Sequence, residues 1–394
     1  MATEKIKELC EKHYEEVAAL RRRFHQNPEL GHEEFETASV VAKELKKLGM
    51  EVTENVEKTG VVGLLKGKHA GKTLMLRADM DALPIQEQAD VPYRSIKDGV
   101  MHACGHDGHT ANLIGVAKVL SQLTEYLHGT VKFVFQPDEE YDSGARAMVE
   151  QGILENPKVD AAFGLHLWGS VPEGEVRIKG GPFMAAPDKF VFKIIGKGGH
   201  ASMPHLCVDP ILLTAQAINQ IQSIVSRRIS PFQSAVISVC SIHAPSEYNT
   251  IPDEVTATGT IRSFDVDLRK KIIQEMERTL KGVVEPHGAR VEFEVVEDYA
   301  LPPVVNDEYL ASLMKMSALK VLDEDKVKEP EEPVMGGEDF AFFSQVVPSC
   351  FFFVGIAANG QEVLHHSPDF QWEDKNLKTA MLVMSQGAVD YLSE

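Results

Sequence analysis

Short apolar segments that alternate with amphipathic helices constrain the fold of this chain more than any other feature. Residues 73–76, 130–135 and 159–165 are runs of apolar and β-branched side chains, which are typical of buried strands. Helical periodicity extends over residues 4–26 and again over residues 112–123. This alternation is the βαβ pattern of a mostly parallel sheet, so we predict an α/β fold with ligands at one edge of the sheet.

A different order of elements occupies residues 186–301. Strand and helix patterns follow one another there as strand, helix, strand, strand, helix and strand, over 189–195, 208–227, 235–242, 255–262, 266–284 and 290–296. That order is typical of a ferredoxin-like split βαβ unit. We therefore predict a larger, discontinuous α/β domain at 1–185 and 302–394 with an inserted α+β domain. Two hinge segments, near 184–187 and 299–304, would join them.

Net charge excludes several classes of partner, and the opening segment and the cysteines indicate a compartment. The 394 residues include 40 Lys and Arg against 59 Asp and Glu, which gives a formal net charge of -19. A surface with this charge repels phosphate backbones and anionic lipid, so we expect neither nucleic acid nor a membrane as a partner. The opening segment lacks the apolar core of a signal peptide, and the five cysteines lack the spacing of a disulfide framework. Cytoplasmic residence is the resulting expectation.

The segment 101–110, Met-His-Ala-Cys-Gly-His-Asp-Gly-His-Thr, is the densest in metal-binding groups. It holds one thiol, three imidazoles and one carboxylate around two glycines. Cys104 and His106 stand two residues apart and can both reach one cation if the backbone is extended or turning. The alternative interpretation is a tight loop with solvated histidines and a buried cysteine.

Three further candidate ligands lie at strand ends or in adjoining loops, namely Glu140, His166 and His366. With Cys104 and His106 they make five, whereas one tetrahedral zinc ion needs four. Five ligands with one bridging thiolate or carboxylate suit two cations about 3.5–4 Å apart, an arrangement used for hydrolysis. Such a pair lowers the pKa of water from about 15.7 toward roughly 7.

Glu139 directly precedes the candidate ligand Glu140. Consecutive residues of an extended segment point in opposite directions, so Glu139 can face a substrate as a general base while its neighbour binds metal. A solvated acidic turn is the alternative, which the position after an apolar strand disfavours. Two rival hypotheses stay open: a cysteine hydrolase with Cys104 as the nucleophile, and a metal-storing protein without turnover.

Eight segments carry a resemblance that extends in order over nearly the whole chain: 77–85, 104–109, 136–140, 164–166, 198–205, 249–253, 259–262 and 366–368. They resemble the metal-dependent amidohydrolase family of hippurate hydrolases, N-acyl-amino-acid deacylases and indoleacetyl-amino-acid hydrolases. The resemblance implies a phosphorylase/hydrolase-like catalytic domain with an inserted ferredoxin-like lid and dimerisation domain. It also implies a homodimer with two divalent metal ions per subunit, Mn²⁺ or Zn²⁺, with Co²⁺ or Ni²⁺ as further options. The implied substrates are N-acyl amino acids, and a dipeptidase or carboxypeptidase activity is the alternative.

Matched motif positions imply a role for each residue of the site. The metal ligands would be Cys104, His106, Glu140, His166 and His366, and the general base would be Glu139. His200 would stabilise the oxyanion, in its own or the neighbouring subunit's site, and Asn249 and Arg262 would hold the substrate. Asp79 and Asp81 would orient ligands rather than bind metal, with helix capping as the alternative.

Several neighbouring side chains are expected to support the site. Three histidines that flank the candidate ligands are predicted to be hydrogen-bonded supports, namely His102, His109 and His365. Glu338 and Asp339 follow two glycines, and we expect them to cap the next helix. The family's usual Pro-Ala-Glu-Glu is Pro-Asp-Glu-Glu here. This departure places Asp138 beside Glu139, where like-charge repulsion is expected to raise the pKa of the base.

Overall fold

The computed structural model describes residues 2–141, 144–245, 247–296 and 300–393. The chain forms two compact units. The first consists of Met1–Phe183, Val305–Glu332 and Asp339–Glu394, and the second of Met184–Val304 and Pro333–Glu338. Tyr299, at the start of the predicted second hinge, lies outside the described residues.

The helices and strands follow one another along the chain in three groups. The first group is α1 (Ala2–Gln26), α2 (Phe35–Lys47), β1 (Glu51–Val56), β2 (Gly60–Lys66), β3 (His69–Asp79), α3 (His106–Ser121), β4 (His128–Gln136), α4 (Gly144–Glu150), β5 (Ala161–Pro172), β6 (Val176–Arg177) and β7 (Gly181–Met184). The second is β8 (Ala186–Ile195), β9 (Gly199–His200), α5 (Pro210–Arg227), β10 (Ala235–His243), β11 (Thr250–Ile251), β12 (Glu254–Ser263), α6 (Val266–Val284) and β13 (Arg290–Val296). The third is β14 (Val304–Asn306), α7 (Glu308–Val321), β15 (Val327–Lys328), α8 (Ala341–Ser344), β16 (Ser349–Ala357) and α9 (Asn376–Tyr391). None of the described helices combines the length and the apolar character needed to cross a membrane.

The first unit is organised around an eight-stranded sheet with the order β1-β2-β4-β3-β5-β16-β6-β15. Its four central strands, β4, β3, β5 and β16, pair in parallel. The pairs β1–β2, β2–β4 and β16–β6 are antiparallel, and β6 and β15 pair in parallel at the other edge. Every residue of β16 is buried, as expected for an apolar strand with both faces covered. The predicted α/β class is confirmed, and the parallel part is the centre of a mixed sheet.

The second unit has a four-stranded antiparallel sheet with the order β10-β12-β8-β13. Along β12, partly buried and buried residues alternate strictly, which reflects the alternating apolar pattern of its sequence. The two helices start where the sequence supplies caps, because the Asp209 carboxylate accepts from the amide of Ile211 and Asp265 from that of Leu268. This is the ferredoxin-like arrangement that the element order predicts.

A short separate stretch of chain, Pro333–Glu338, belongs to the second unit although it is distant from the rest of that unit in sequence. The amide of Ala185 donates to the carbonyl of Val334 at 2.9 Å. Arg262 Nε donates to the carbonyl of Met335 at 3.2 Å. The second unit is therefore completed by two segments of the chain.

Two predicted details of the elements are wrong, and one strand is missed. Helix α3 begins at His106, six residues before the predicted start, because Gly105 takes a left-handed conformation (φ 92°) and lets the chain enter the helix directly. His166 lies inside β5, since that strand continues to Pro172. Strand β1 was not predicted, because it lies at the edge of the sheet with mostly exposed side chains and no apolar alternation.

Candidate metal centre

The five candidate ligands converge in the first unit. Cys104 Sγ lies 3.5 Å from His166 Nε2, and Glu140 Oε1 lies 3.2 Å from His366 Nε2. Glu140 Oε1 is also 3.9 Å from His106 Nε2. The ligand-type atoms of Cys104, His106 and His166 are all within 4.8 Å of one another, and so are those of Cys104, Glu140 and His366. The thiol therefore belongs to two groups at once.

Hydrogen bonds at Nδ1 set the tautomers of two buried histidines in the cluster. His106 Nδ1 donates to Asp81 Oδ1 at 3.0 Å, and His166 Nδ1 donates to the carbonyl of Leu167 at 2.8 Å. Each ring then keeps the lone pair of Nε2 for another partner. His106 Nε2 is buried, and no described residue forms a hydrogen bond with it. An unsatisfied buried nitrogen aimed at a thiol and a carboxylate fits the presence of a cation.

Two neighbouring histidines are supports, as predicted, because each accepts a backbone hydrogen bond through Nε2. His109 accepts from the amide of Leu167 at 2.9 Å while its Nδ1 bonds Asp79 Oδ1 at 2.6 Å. His365 accepts from the amide of Gly169 at 3.0 Å. Both nitrogens of His109 are thus occupied by protein groups, which removes it from the candidate ligands.

The prediction that His102 is a hydrogen-bonded support is wrong. Both of its ring nitrogens are buried, and neither has a hydrogen-bond partner in the part of the chain that the structure describes. Burial lowers the pKa of His102 to about 4, so the ring is neutral at pH 7. Its imidazole packs 6.5 Å, between ring centroids, from that of His25.

Opposite pKa shifts separate the two buried histidines of the cluster. Burial lowers the pKa of His106, but the charge of Asp79 and the hydrogen bond with Asp81 outweigh it and raise the pKa to about 10. Burial lowers the pKa of His166 well below its usual range, and nearby imidazoles act in the same direction. His166 is therefore neutral. The carboxylates around His106 favour positive charge there, which a cation bound at Nε2 would supply in place of the second ring proton.

Burial raises the pKa of the Cys104 thiol well above its usual range, and the negative charge of Glu140 adds to the shift. A protonated thiol is a poor nucleophile. This environment disfavours the cysteine-hydrolase hypothesis. A cation would supply the positive charge that a thiolate needs here.

Asp79 and Asp81 contact the imidazoles and not a helix end, so capping is not their role. Asp81 accepts from both His106 Nδ1 and the amide of Glu140, the latter at 3.0 Å. Asp79 Oδ2 accepts from Arg77 at 2.7 Å and its Oδ1 from His109. Asp81 thus contacts two candidate ligands and Asp79 a histidine next to them, and the orienting role of both carboxylates stays a prediction.

Asp339 does not cap the helix that follows it, contrary to prediction. It is fully buried and accepts from Arg77 at 2.8 Å, from Gln136 at 2.7 Å and from the amide of Ala145 at 3.0 Å. Its own amide donates to Glu139 Oε1 at 3.3 Å. Sequence reasoning missed this anchor, although an arginine at the end of an otherwise apolar strand was a usable signal.

The side chain of Asp138 lies against Gly31 and near His32. Its backbone is left-handed (φ 53°), and its Oδ2 lies 3.6 Å from His32 Nδ1. A Cβ at Gly31 would come within 1.7 Å of its Oδ1, so this side chain packs directly on the glycine. The expected effect of Asp138 on the pKa of Glu139 stays a prediction.

The predicted oxyanion stabiliser His200 and the two predicted substrate-binding residues, Asn249 and Arg262, lie in the second unit. His200 pairs with Thr250, and the amide of Ala201 donates to the carbonyl of Asn249 at 3.0 Å, so the turn residue Asn249, directly before β11, is held beside β9. The amide of Ser202 donates to His200 Nδ1 at 3.1 Å. In the neutral ring this leaves the proton on Nε2, which can then act as a donor. Arg262 lies on β12.

The fold and the cluster define the class of two-domain, metallopeptidase-like hydrolases, and comparisons with known proteins give the family. Residues 75–388 match Peptidase family M20/M25/M40. The chain is 42% identical over 381 residues to the putative amidohydrolase YhaA of Bacillus subtilis, covering 96% of this chain and 95% of that protein. It is 44% identical over 307 residues to the N-acyl-L-amino acid amidohydrolase of Geobacillus stearothermophilus, covering 78% and 82%.

A solved structure extends this likeness to three dimensions. The YXEP protein of Bacillus subtilis, described as a dinuclear metal-binding peptidase from the M20 family, matches with a TM-score of 0.85 and 34% identity. The match covers 97% of this chain and 99% of that one. The chain belongs to the M20/M25/M40 peptidase family, and the predicted family resemblance is confirmed.

Proposed function

We propose that this protein hydrolyses the amide bond of N-acyl amino acids with two divalent cations per subunit. The observation that carries the proposal is that five ligand-type side chains form two groups sharing the Cys104 thiol. One group adds His106 and His166, and the other adds Glu140 and His366. A shared thiolate suits two cations about 3.5–4 Å apart.

Each residue of the cluster has a proposed part in holding the cations. His106 and His166 would bind one cation, Glu140 and His366 the other, and Cys104 both. Bound cations supply polarisation of the amide carbonyl and acidification of water. Cys104 would release its proton on metal uptake, because metal-ligating thiols are deprotonated. We propose Mn²⁺ or Zn²⁺, with Co²⁺ or Ni²⁺ as alternatives, because imidazole and carboxylate ligands accept all four.

Glu139 is the proposed general base. Its carboxylate oxygen lies within 4.8 Å of the ligand-type atoms of His106 and Glu140. The hydrogen bond from the amide of Asp339 restrains that carboxylate. Glu139 would accept a proton from the attacking water and pass it to the leaving nitrogen, so a single group serves both halves of the reaction.

Residues of the second unit are proposed to bind the substrate. His200 Nε2 would donate to the carbonyl oxygen as negative charge develops there, in its own or the partner subunit's site. Asn249 would bind the amide and Arg262 the substrate carboxylate, since a guanidinium matches a carboxylate in a forked geometry. We expect His200→Ala to lower kcat by about 10²–10³, and an undiminished kcat would contradict this role.

A substrate panel tests the proposed reaction. Protein freed of metal with a chelator is assayed on N-acetyl, N-benzoyl and N-indoleacetyl amino acids and on dipeptides, with and without Mn²⁺, Zn²⁺, Co²⁺ or Ni²⁺. We expect no turnover without metal and hydrolysis of N-acyl amino acids once a metal is restored. Faster cleavage of dipeptides would favour the peptidase alternative. Turnover that is unaffected by metal removal would contradict the proposal.

The variant Glu139→Gln tests the base and the metal-storage hypothesis together. Glutamine has the same size but cannot accept the proton, so we expect retained metal and turnover reduced by about 10²-fold or more. Metal analysis of the same preparation is the control. Normal turnover in this variant would remove Glu139 from the base role.

We also propose a homodimer formed through the second unit, which would act as a lid and dimerisation domain. Light scattering of the purified protein at micromolar concentration tests this, and a monomer would contradict it.

Cytoplasmic residence is a further proposal. Its support is that all five cysteines are unpaired, as in a reducing compartment.

A further inference from the structure

The loop between α1 and α2 contains a buried carboxylate for which the proposed function gives no role. Glu34 occupies the cap position of α2, but its side chain forms no capping hydrogen bond with that helix. Thr59 Oγ1 donates to Glu34 Oε2 at 2.6 Å, and the amide of Asp138 donates to Glu34 Oε1 at 3.0 Å. The carboxylate is thus directed toward the segment that carries Glu139.

Another residue caps α2. Glu29 accepts from the amide of Glu36 at 3.1 Å and from that of Thr37 at 2.8 Å. The helix therefore does not need the carboxylate of Glu34. Burying that carboxylate has a cost, since burial raises the pKa of Glu34 to about 7. A buried acid that does not stabilise its own helix points to a role at its other contact.

The other contact of Glu34 is the amide of Asp138, which is the first of two backbone amides that hold a short turn. The turn enters with Asp138 in a left-handed conformation, which is strained for a residue other than glycine. Its exit is held by the amide of Glu140, which donates to Asp81 Oδ2. Two buried carboxylates therefore hold the turn at its ends. Glu34 accepts from the amide of Asp138, just before Glu139, and Asp81 accepts from the amide of Glu140.

We propose that Glu34 is a positioning residue for catalysis, because its hydrogen bond to the amide of Asp138 fixes the turn that presents Glu139 and Glu140. The inference rests on the proposed function, which makes these two residues the base and a ligand. Without the acceptor, the left-handed turn can relax and move both carboxylates. A displacement of about 1 Å at reacting groups costs on the order of 10²-fold in rate.

Three variants test the proposal. Glu34→Met keeps the volume and removes the acceptor, whereas Glu34→Gln keeps one acceptor oxygen for Asp138. Glu44→Met is the matched control, because Glu44 is a buried acid on the same helix whose carboxylate binds Lys118 at 2.8 Å. For each variant, kcat, KM, Tm, metal content and amide hydrogen exchange of residues 135–141 are measured.

We expect Glu34→Met to lower kcat about 10- to 100-fold with KM nearly unchanged, and to speed amide exchange in the segment 135–141. Glu34→Gln should restore most of kcat and of the exchange protection. Glu44→Met should lower Tm without either effect. Unchanged kcat and exchange in Glu34→Met, or an equal loss of kcat in Glu44→Met, would overturn the proposal.

Thr59→Val covers the case in which Glu34→Met does not fold. It removes the second partner of the carboxylate at nearly constant volume, and we expect a two- to tenfold loss of kcat with faster exchange of the same segment. Unchanged values would overturn the proposal. The exchange measurement needs neither metal nor substrate. If the wild-type protein lacks metal-dependent amidase activity, the proposed function fails, while the hold of Glu34 on the turn is still tested.

Discussion

Asp81 joins two ligands of the cluster through one carboxylate, because it accepts from the ring of His106 and from the amide of Glu140. We expect Asp81→Asn to weaken metal binding about 10- to 100-fold, since an amide orients an imidazole less well than a carboxylate. Titration against a chromophoric chelator measures the affinity. Asp188→Asn is the control, because Asp188 is also buried but binds Arg269 in the second unit. Equal affinities for the two variants would contradict the expectation.

At this scale, the sequence predicts groups that cluster in a motif, and it misses groups whose partners are distant in the chain. Spacing marks Cys104 and His106 as candidate ligands, and the family resemblance implies the full set of five. Asp339 could not be understood in this way, because its partner Arg77 is 262 residues away in sequence. Glu34 belongs to none of the motifs in the sequence, and nothing local indicates its contact with Asp138. Contacts of this kind depend on the assembled sheet.

Helix α1 carries two adjacent arginines with opposite environments, and both bind Asp374. Arg21 is fully buried, binds Asp107 at 2.8 Å and stacks on Trp372, with Cζ 4.3 Å from the ring centroid. Its neighbour Arg22 leaves 55% of its side chain exposed. We expect Arg21→Met to lower the free energy of unfolding by about 3–5 kcal/mol, because it removes the buried cation that pairs with both Asp107 and Asp374.

Chemical denaturation measures this loss, and Arg22→Met is its matched control. An exposed ion pair contributes about 0–1 kcal/mol, so the control variant should unfold almost like the wild type. Similar losses in the two variants would show that burial does not determine the contribution of these arginines.

The start of α2 makes stability depend on pH through Glu34. Burial, and secondarily the charge of Asp81, raise the pKa of Glu34 to about 7, above its value in the unfolded chain. The folded state then binds more protons between about pH 4.5 and 7, so this residue's contribution to stability falls as pH rises through that window. As the pH rises from 5 to 8, we expect the free energy of unfolding of Glu34→Gln to increase by on the order of 1–3 kcal/mol relative to that of the wild type. Urea unfolding measures both proteins, and a difference in their free energies of unfolding that does not change with pH would contradict this expectation.

Whole elements were predicted better than their ends. Periodicity located α1, α5 and α6 to within a few residues, because an amphipathic helix buries one apolar face against the neighbouring elements. The start of α3 was misplaced, because its first turn is polar yet buried and carries no apolar stripe. The residues of this first turn belong to the cluster of ligand-type side chains or contact it, so the local hydrophobic pattern does not indicate a helix there.

At the scale of the molecule, each unit has its own apolar core. Residues such as Phe133 and Phe352 belong to one cluster, and Phe192 and Ile221 to another. The candidate ligands all lie in the first unit. We expect calorimetry to resolve two transitions, of which added Mn²⁺ or Zn²⁺ raises only one, because a ligand stabilises the unit that binds it. Asp188→Asn identifies the other transition by lowering it. A shift of both transitions with metal would contradict this independence.

The segment Pro333–Glu338 limits how this protein can be truncated to a single unit. The chain passes between the two units four times, and not twice as a simple insertion would. A deletion that closed the gap between residues 183 and 305 would leave Val334 and Met335 without the backbone and guanidinium donors of Ala185 and Arg262. A minimal first unit therefore requires two excisions, and a transplanted second unit would need a loop grafted from elsewhere in the sequence.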